Sequence, residues 1–464
     1  MRPLREPRSD ESAGLFRRWA TGIVSSARRA SRHVVVHAAG VNFAMIGITT
    51  FAGVLIARWL GAEGRGYYAA IMAWFALAQV IGELGQSGAV TFWVSRDPSR
   101  AKDYVASSRL LMLVIGVLVA AVGIVLSPLF AHGIESVTVA YRIAFGGCLL
   151  NSLCAASVYA LQGTSINRWN IVRISQPIAY LVLIVALALS HKLDIIWVSV
   201  ALVASILVQF SIAIGQGIVE GLEGGRPRKA LVKELAIYGV AYSGSAIPGS
   251  LASQYDRLVL SGVAIPAQLG LYAVAGSVAG LAYPFSTAVA SVVFPRSARA
   301  DLDEAGRRHL ERRAIFGTAL VSLGISMAIA IGVAPLIPLV FGQSFQAAIE
   351  LVWWIIPAIF FRSVSQVISA LLRGRGRPGL VTYGQLFGLV AGVATIFPFM
   401  AWLGVRGAAL AVSLGELVVL AVTIAMFVAE RRRTLRTFKK DESVGASDVG
   451  ADVHESRETE ESSY

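Results

Sequence analysis

Twelve apolar segments, each about long enough to cross a bilayer, restrict this 464-residue chain to a polytopic helical membrane protein. Backbone groups inside a bilayer have no water to bind, so such segments form helices that satisfy their own hydrogen bonds. Hydrophobic residues make up 56% of the sequence and charged residues 15%, which excludes an ordinary soluble domain. The segments cover residues 34–57, 67–94, 110–130, 137–160, 172–190, 195–219, 235–256, 269–294, 314–340, 348–372, 380–402 and 405–429.

Lysine and arginine residues indicate how these segments are oriented. If the N-terminus lies in the cytoplasm, the inner loops and terminal regions carry 33 of these residues and the outer loops carry five. Cytoplasmic loops are enriched in Lys and Arg, so we predict a multi-pass protein of the cytoplasmic membrane with both termini inside. This orientation also explains the net charge of +13, and we expect no nucleic-acid partner.

The chain contains a weak internal repeat. Gly66-Tyr67-Tyr68 and Gly270-Leu271-Tyr272 each end a short loop between apolar segments, with the two glycines 204 residues apart. A second pair, Gly163 and Gly374, is 211 residues apart. Because each half then holds six segments, we predict an all-α fold of two parallel six-helix repeats.

The repeat predicts five parts along the chain. They are a basic cytoplasmic arm able to lie on the membrane surface (1–33), a first six-helix bundle (34–219), a cytoplasmic linker (220–234), a second six-helix bundle (235–429) and a cytoplasmic tail that is basic, then acidic and disordered (430–464).

Arg362 is the clearest candidate functional residue. It lies mid-way along the tenth segment, and Ser365, Gln366 and Ser369 share its helical face. Burying a charge in a bilayer is costly, so function is the default hypothesis for Arg362 and Gln366 as substrate-binding residues. The alternative is an arginine paired with a neighbouring carboxylate or with helix-end carbonyls.

Three further arginines, Arg58, Arg142 and Arg257, lie near the outer ends of apolar segments. Together with Arg362 they would form a cationic cavity, and the planar fork of arginine donors suits phosphate oxygens. Snorkelling to lipid headgroups is the alternative for Arg58 and Arg142, and self-neutralisation by Asp256 is the alternative for Arg257.

The acidic candidates are Glu83, Asp256 and Glu416. Each predicts a site for a coupling proton or Na⁺, with neutralisation of an arginine as the alternative. In the seventh segment, Pro248 and Gly249 permit a bend, because proline removes a backbone hydrogen bond. We expect a hinge there, and a static kink is the alternative.

Enzyme and metal signatures are missing from the sequence. RGRGRPG at 373–379 follows no strand, so it is a basic inner loop instead of a phosphate-binding motif. Cys148 and Cys154 lie six residues apart in one apolar segment, a spacing that fits neither a disulfide framework nor a zinc cluster. We expect a protein without enzymatic activity, bound metal or cofactor, other than a coupling H⁺ or Na⁺.

Three short motifs carry a resemblance to a known family. They are Ala57-Arg58-Trp59-Leu60-Gly61 running to Gly66-Tyr67-Tyr68, Asp256-Arg257-Leu258 running to Gly270-Leu271-Tyr272-Ala273, and Leu403-Gly404-Val405-Arg406-Gly407-Ala408-Ala409. With twelve segments, the chain resembles the polysaccharide flippases of the MATE-like multidrug/oligosaccharidyl-lipid/polysaccharide (MOP) exporter superfamily. Ala62 departs from the family pattern, in which a proline often stands at that position.

The resemblance implies a V-shaped pair of six-helix bundles and alternating access. The implied cargo is an undecaprenyl-pyrophosphate-linked oligosaccharide, moved to the outer leaflet for O-antigen, capsule, exopolysaccharide or teichuronic-type polymers. Implied partners are membrane lipids, a polysaccharide polymerase and glycosyltransferases, and we expect a monomer. The alternatives are a drug/cation exporter of the same fold, a lipid II flippase, and a polytopic enzyme or scaffold of polysaccharide assembly.

Overall fold

The computed structural model describes the backbone of residues 9–297 and 304–461, and all regular structure within these ranges is helical. Met1–Arg8, the start of the predicted arm, and residues 462–464 of the predicted tail lie outside them. The helices are α1 (Ser9–Glu83), α2 (Gln86–Arg96), α3 (Ala101–Phe130), α4 (Glu135–Thr164), α5 (Ile166–Leu189), α6 (Ile195–Val219), α7 (Lys229–Ala252), α8 (Tyr255–Val263), α9 (Pro266–Ala279), α10 (Tyr283–Ser297), α11 (Glu304–Phe341), α12 (Ala348–Gly374), α13 (Pro378–Leu403) and α14 (Val405–Glu461).

Each predicted segment corresponds to helix. Ten helical stretches in the described ranges are long and apolar enough to cross a membrane. One of them, Gly40–Glu83 in α1, covers most of the first two predicted segments, the second of which continues into α2. Gly61 separates these two segments with φ 67° and ψ −171°, a conformation that glycine tolerates. Most of the seventh segment lies in α7, which is not among the ten and whose second half is rich in Ser and Gly. The all-helical, multi-pass architecture is therefore confirmed.

Some boundaries differ from the predicted ones. The linker after α6 is shorter, because α7 already begins at Lys229. The same helix ends at Ala252, four residues before the predicted end of the seventh segment. At the C-terminus α14 runs to Glu461, where we predicted disorder from 441 onward; this stretch contains no proline to end the helix.

Contacts divide the chain into two compact units. The first holds the described residues up to 250 together with 257–274 and 337–347. Its core includes the fully buried side chains of Tyr104, Met112, Leu161, Leu231 and Leu235. The predicted division into bundles 34–219 and 235–429 remains a prediction, because these contacts group most of α7 with the first unit.

The second unit holds residues 251–256, 275–336 and 348 onward. Its central element is α12, which packs against α10, α13 and α14. The core of this unit includes Val364, Ile368, Leu371 and Leu372 from α12 and Leu420 from α14. Because α12 is surrounded by other helices, polar groups on it need protein partners.

The predicted repeat is visible in a reciprocal contact around Gly66 and Gly270, which both lie in the first unit. A Cβ atom added to Gly66 would lie 1.7 Å from the carbonyl oxygen of Pro266, and one added to Gly270 would lie 1.9 Å from that of Ala62. Ala62 and Pro266 are 204 residues apart, as Gly66 and Gly270 are, so each contact joins a glycine of one repeat to the position of the other repeat that lies four residues before its own glycine. Equivalent positions of the two repeats therefore meet where only glycine allows the backbones to approach.

The second pair of repeat glycines makes the same contact in each unit. In the first unit, a Cβ atom added to Gly163 would lie 2.8 Å from Oγ of Ser95. In the second unit, one added to Gly374 would lie 1.8 Å from Oγ of Ser297. Each glycine lies at the C-terminal end of a long helix, α4 or α12, so the duplication extends beyond the loop motifs.

Ion pairs repeat in the same way. Arg168 pairs with Glu220 in the first unit. Arg377 pairs with Glu430 in the second unit, with 3.0 Å between Nε and Oε1. The arginines are 209 residues apart and the glutamates 210, so these pairs occupy equivalent positions.

A buried ion pair between Arg375 and Glu311 joins the α12–α13 loop to α11, with Nε and Oε1 2.9 Å apart and side chains only 5% and 4% exposed. We expect Glu311→Gln to lower the free energy of unfolding by about 3–5 kcal/mol, because Arg375 would be left buried without its counter-charge. Thermal unfolding of the purified variant in detergent measures the effect. The matched control is Glu350→Gln, which breaks the half-exposed pair with Arg406 and is expected to cost at most about 1 kcal/mol; equal shifts in the two variants would contradict the prediction.

Candidate functional sites in the two units

Arg362 and Glu416 form an ion pair in the second unit. The Nε atom of Arg362, on α12, donates to Oε1 of Glu416, on α14, at 2.8 Å. Nη1 of the same guanidinium donates to the hydroxyl of Tyr283 at 3.3 Å, and the group lies 5.2 Å from the centre of that ring. The carboxylate partner that the sequence offered as the alternative for Arg362 is therefore present as Glu416, and substrate binding by Arg362 remains a prediction.

The guanidinium of Arg362 keeps further donors. Its contacts with Glu416 and Tyr283 use two of the five N–H groups that an arginine carries. The side chain is 31% exposed, so protein does not enclose it completely. Arg362 is thus held in place by two partners and keeps N–H groups that these two contacts do not use.

Gln366 lies one turn along α12 and is engaged by α10. Its Nε2 donates to Oγ1 of Thr287 at 3.1 Å, and its Oε1 accepts from Oγ of Ser286 at 2.8 Å. Both ends of the amide therefore have protein partners, and Gln366 fixes α10 against α12. Its substrate-binding role remains a prediction.

Asp256 and Tyr255 extend the cluster around Glu416. The charges of Asp256 and Glu416 interact, and Tyr255 interacts electrostatically with both carboxylates and with Arg362. The Tyr255 side chain occupies space beside Gly392, where an added Cβ atom would fall 2.2 Å from its hydroxyl. One guanidinium and two carboxylates are thus close enough to influence one another.

A second cluster, in the first unit, is built around Arg65, a residue that the sequence analysis placed in an outer loop. Arg65 is only 8% exposed, and its guanidinium lies 5.1 Å from the centre of the Tyr68 ring. The Tyr68 hydroxyl accepts a hydrogen bond from that of Tyr180 at 3.2 Å. The charge of Arg257 interacts with that of Arg65, so two cations are close together in a poorly solvated region.

Arg257 is half-buried, and its Nε has no hydrogen-bond acceptor among the described residues. A buried N–H without an acceptor costs about 1–3 kcal/mol. A ligand oxygen at this position would remove that cost and offset the repulsion between Arg257 and Arg65. This arrangement favours an anion.

Arg58 and Arg142 are exposed. Arg58 donates to the carbonyl oxygens of Leu339 and Val340, at 2.6 Å for Val340, so it caps the last turn of α11. The guanidinium of Arg58 therefore has hydrogen-bond acceptors within the protein, the carbonyl oxygens at the end of α11. Arg142 lies on α4, and binding of substrate by either residue remains a prediction.

Glu83 lies in the first unit and has a neutral partner. Both of its carboxylate oxygens accept from the Tyr159 hydroxyl, each at 3.1 Å. This environment differs from that of Glu416, which faces an arginine. A carboxylate bonded to a hydroxyl can take up a proton without losing an ion pair.

The predicted hinge at Pro248 and Gly249 lies within α7, which is continuous through both residues. A Cβ atom added to Gly249 would meet nothing within 4 Å. The helical path breaks at Ser253 and Gln254, between α7 and α8. Movement at Pro248 remains a prediction.

Comparison with known families identifies the chain. The family described as "Polysaccharide biosynthesis protein" matches residues 34–301, more than half of the sequence. The chain belongs to this family. The match extends from within α1 to the end of α10, and it includes Arg65, Glu83 and Arg257. No curated protein sequence matches the chain.

Solved structures show that this family member has the fold of MOP superfamily transporters. An inward-facing multidrug resistance MATE transporter has 18% sequence identity and a TM-score of 0.70, with 86% of this chain and 99% of that chain covered. The lipid II flippase MurJ, in an inward closed conformation, has 14% identity and a TM-score of 0.72, with 84% and 87% covered. A MOP superfamily transporter from Pyrococcus furiosus, whose binding pocket is described as having reverse polarity, has 17% identity to this chain and a TM-score of 0.54, with 86% of this chain and 95% of that chain covered.

Proposed function

We propose that the chain is a flippase that moves an undecaprenyl-pyrophosphate-linked oligosaccharide across the cytoplasmic membrane by alternating access, for export of a cell-surface polysaccharide. The main support for an anionic, lipid-linked cargo is the buried Arg65, whose charge interacts with that of Arg257, in a chain that belongs to a polysaccharide biosynthesis family. The MurJ-like fold supports a lipid-linked cargo, since that protein is described as a lipid II flippase.

A pyrophosphate suits the Arg65–Arg257 cluster for three physical reasons. Arginine binds phosphate oxygens in two-pronged geometry, and charge-assisted hydrogen bonds are the strong ones. An anion offsets the repulsion between the buried guanidinium of Arg65 and the half-buried one of Arg257. The Arg257 Nε would gain an acceptor. A cationic drug would add to the repulsion at this cluster, which disfavours the drug/cation exporter.

Coupling to an ion is the second part of the proposal. Glu83 supports a proton site, because its partner is the neutral Tyr159 hydroxyl. Glu416 and Asp256 support a second site for H⁺ or Na⁺. Arg362 already pairs with Glu416, so its guanidinium would compete with the coupling ion for that carboxylate. Both termini are proposed to face the cytoplasm, and a polymerase and glycosyltransferases are proposed partners of a monomeric flippase.

The test is the sidedness of the lipid-linked oligosaccharide in a deletion strain, probed with a membrane-impermeant sugar-modifying reagent. We expect the cargo to stay on the cytoplasmic face and wild-type protein to restore its export. Arg65→Lys and Arg257→Lys keep the charge but lose the planar fork, and each is expected to reduce export at least tenfold at equal protein level, from about 1.4 kcal/mol or more of lost binding.

The matched control is Arg432→Lys, an exposed arginine of α14, which is expected to export normally. If the cargo reaches the outer face in the deletion strain but stays unpolymerised, the flippase proposal fails and an enzyme or scaffold takes its place. If both lysine variants export at the wild-type rate, the Arg65–Arg257 cluster does not bind the cargo.

A further inference from the structure

One face of α11 forms an exposed cleft of about 450 Å³ in the second unit. Spacings of three and four residues place its lining on a single side of the helix. Cationic side chains occupy the first turns and apolar ones the next turns. The lining residues are His309, Arg312, Arg313, Phe316, Gly317 and Leu320.

The cleft changes from charged to apolar along the helix. Arg312 lies 5.8 Å from the centre of the Phe316 ring, so the aromatic side chain separates the cations from the apolar part. Phe316 is 67% exposed and Leu320 is 73% exposed. Between them, a Cβ atom on Gly317 would meet nothing within 4 Å, which leaves an open depression against the backbone.

The opposite face of α11 is packed against protein, so the helix cannot turn about its axis to bury the cleft. Glu311 is buried in its ion pair with Arg375, and Thr318 and Ser322 are buried on the same side. In the part of the chain that the structure describes, no carboxylate pairs with Arg312 or Arg313. Both guanidinium groups are exposed and therefore accessible to an anion from outside the described protein surface.

We propose that this cleft binds an anionic phospholipid, with its phosphate between Arg312 and Arg313 and an acyl chain along Phe316 and Leu320. An anionic phospholipid has a negative headgroup next to an apolar chain. Along α11 the arginines are likewise followed by Phe316 and Leu320, so each part of the lipid meets side chains that suit it. The site is separate from the Arg65–Arg257 cluster, and it does not depend on the identity of the cargo.

The test places a reporter in the cleft of the full chain. Leu320→Cys is labelled with a bimane fluorophore, which is feasible because Cys148 and Cys154 are both buried. The protein is reconstituted into phosphatidylcholine vesicles, and quenching by brominated phosphatidylglycerol is compared with quenching by brominated phosphatidylcholine. We expect half-maximal quenching at about a fivefold lower mole fraction of the anionic lipid for each engaged arginine, roughly 1 kcal/mol each.

Two double variants of the reporter protein distinguish a built site from general surface charge. Arg312→Gln/Arg313→Gln is expected to equalise quenching by the two lipids. Lys102→Gln/Arg432→Gln removes two other exposed cations and is expected to keep the preference. Equal quenching by the two lipids in the parent reporter protein, or loss of the preference in the control variant, would overturn the proposal.

The remaining outcomes concern other occupants of the cleft. Inorganic phosphate that abolishes the preference at millimolar concentration would show a simple anion site. A polyprenyl pyrophosphate that displaces the brominated phosphatidylglycerol at a tenfold lower mole fraction would assign the cleft to a pyrophosphate lipid. Either result overturns the phospholipid proposal, and neither bears on export through the Arg65–Arg257 cluster.

Discussion

Replacing Gly66 with valine is expected to prevent the protein from folding. A Cβ atom at this position would lie 1.7 Å from the carbonyl oxygen of Pro266 and 3.1 Å from the backbone nitrogen of Gly270. Only a backbone shift relieves such a contact, so the expected loss exceeds about 4 kcal/mol, among the largest effects of single substitutions. Fluorescence-detected size-exclusion chromatography in detergent measures the fraction that remains monodisperse.

Two further glycine variants accompany this measurement. Gly270→Val is expected to have the same effect, because its Cβ atom would meet the carbonyl oxygen of Ala62 at 1.9 Å. Gly47→Val lies on the same helix as Gly66 but in open space, so it is expected to elute like wild type. A monodisperse Gly66→Val protein would mean that the close backbone crossing does not exist.

Removing Arg362 is expected to have the second large effect. Arg362→Leu leaves the mostly buried Glu416 without its ion pair, which should cost about 3–5 kcal/mol of stability, and it should abolish polymer export. Export is measured by complementation of the deletion strain, and stability by thermal unfolding in detergent. Loss of both properties in this single variant does not separate packing from function.

The double variant Arg362→Leu/Glu416→Leu makes that separation. It removes both charges, so the stability is expected to return to within about 1.5 kcal/mol of wild type. Export is expected to remain lost, because the free N–H groups of the guanidinium are still missing. A double variant that exports normally would show that the pair is purely structural and would remove Arg362 and Glu416 from the mechanism.

The membrane-spanning part of the fold could be predicted because the bilayer imposes simple rules. Span length and low charge follow from the thickness and polarity of the hydrocarbon region, so the twelve segments could be located without knowing any contact. Helix boundaries that depend on tertiary contacts could not be predicted as well from the sequence. The break at Ser253 and Gln254, for example, begins five residues after Pro248, the residue where the sequence predicted a bend.

The candidate sites were only partly predictable, because their partners are distant in sequence. Helical periodicity places Arg362 on a polar face, but its ion pair depends on α12 packing against α14, 54 residues away. Arg58 caps a helix end 281 residues later, which no local pattern reveals. Arg65 looked like a loop residue because it follows Gly61, yet the helix resumes and buries it; its spacing of three from Tyr68 was the available signal.

The reciprocal contact of Gly66 and Gly270 also determines how the two repeats meet. A contact in which position i of one copy meets position j of the other, and j meets i, has the form of an isologous dimer interface. The two repeats of one chain thus meet here as two identical subunits meet in a symmetric dimer. A larger side chain at either glycine therefore requires the backbone of the other repeat to move away.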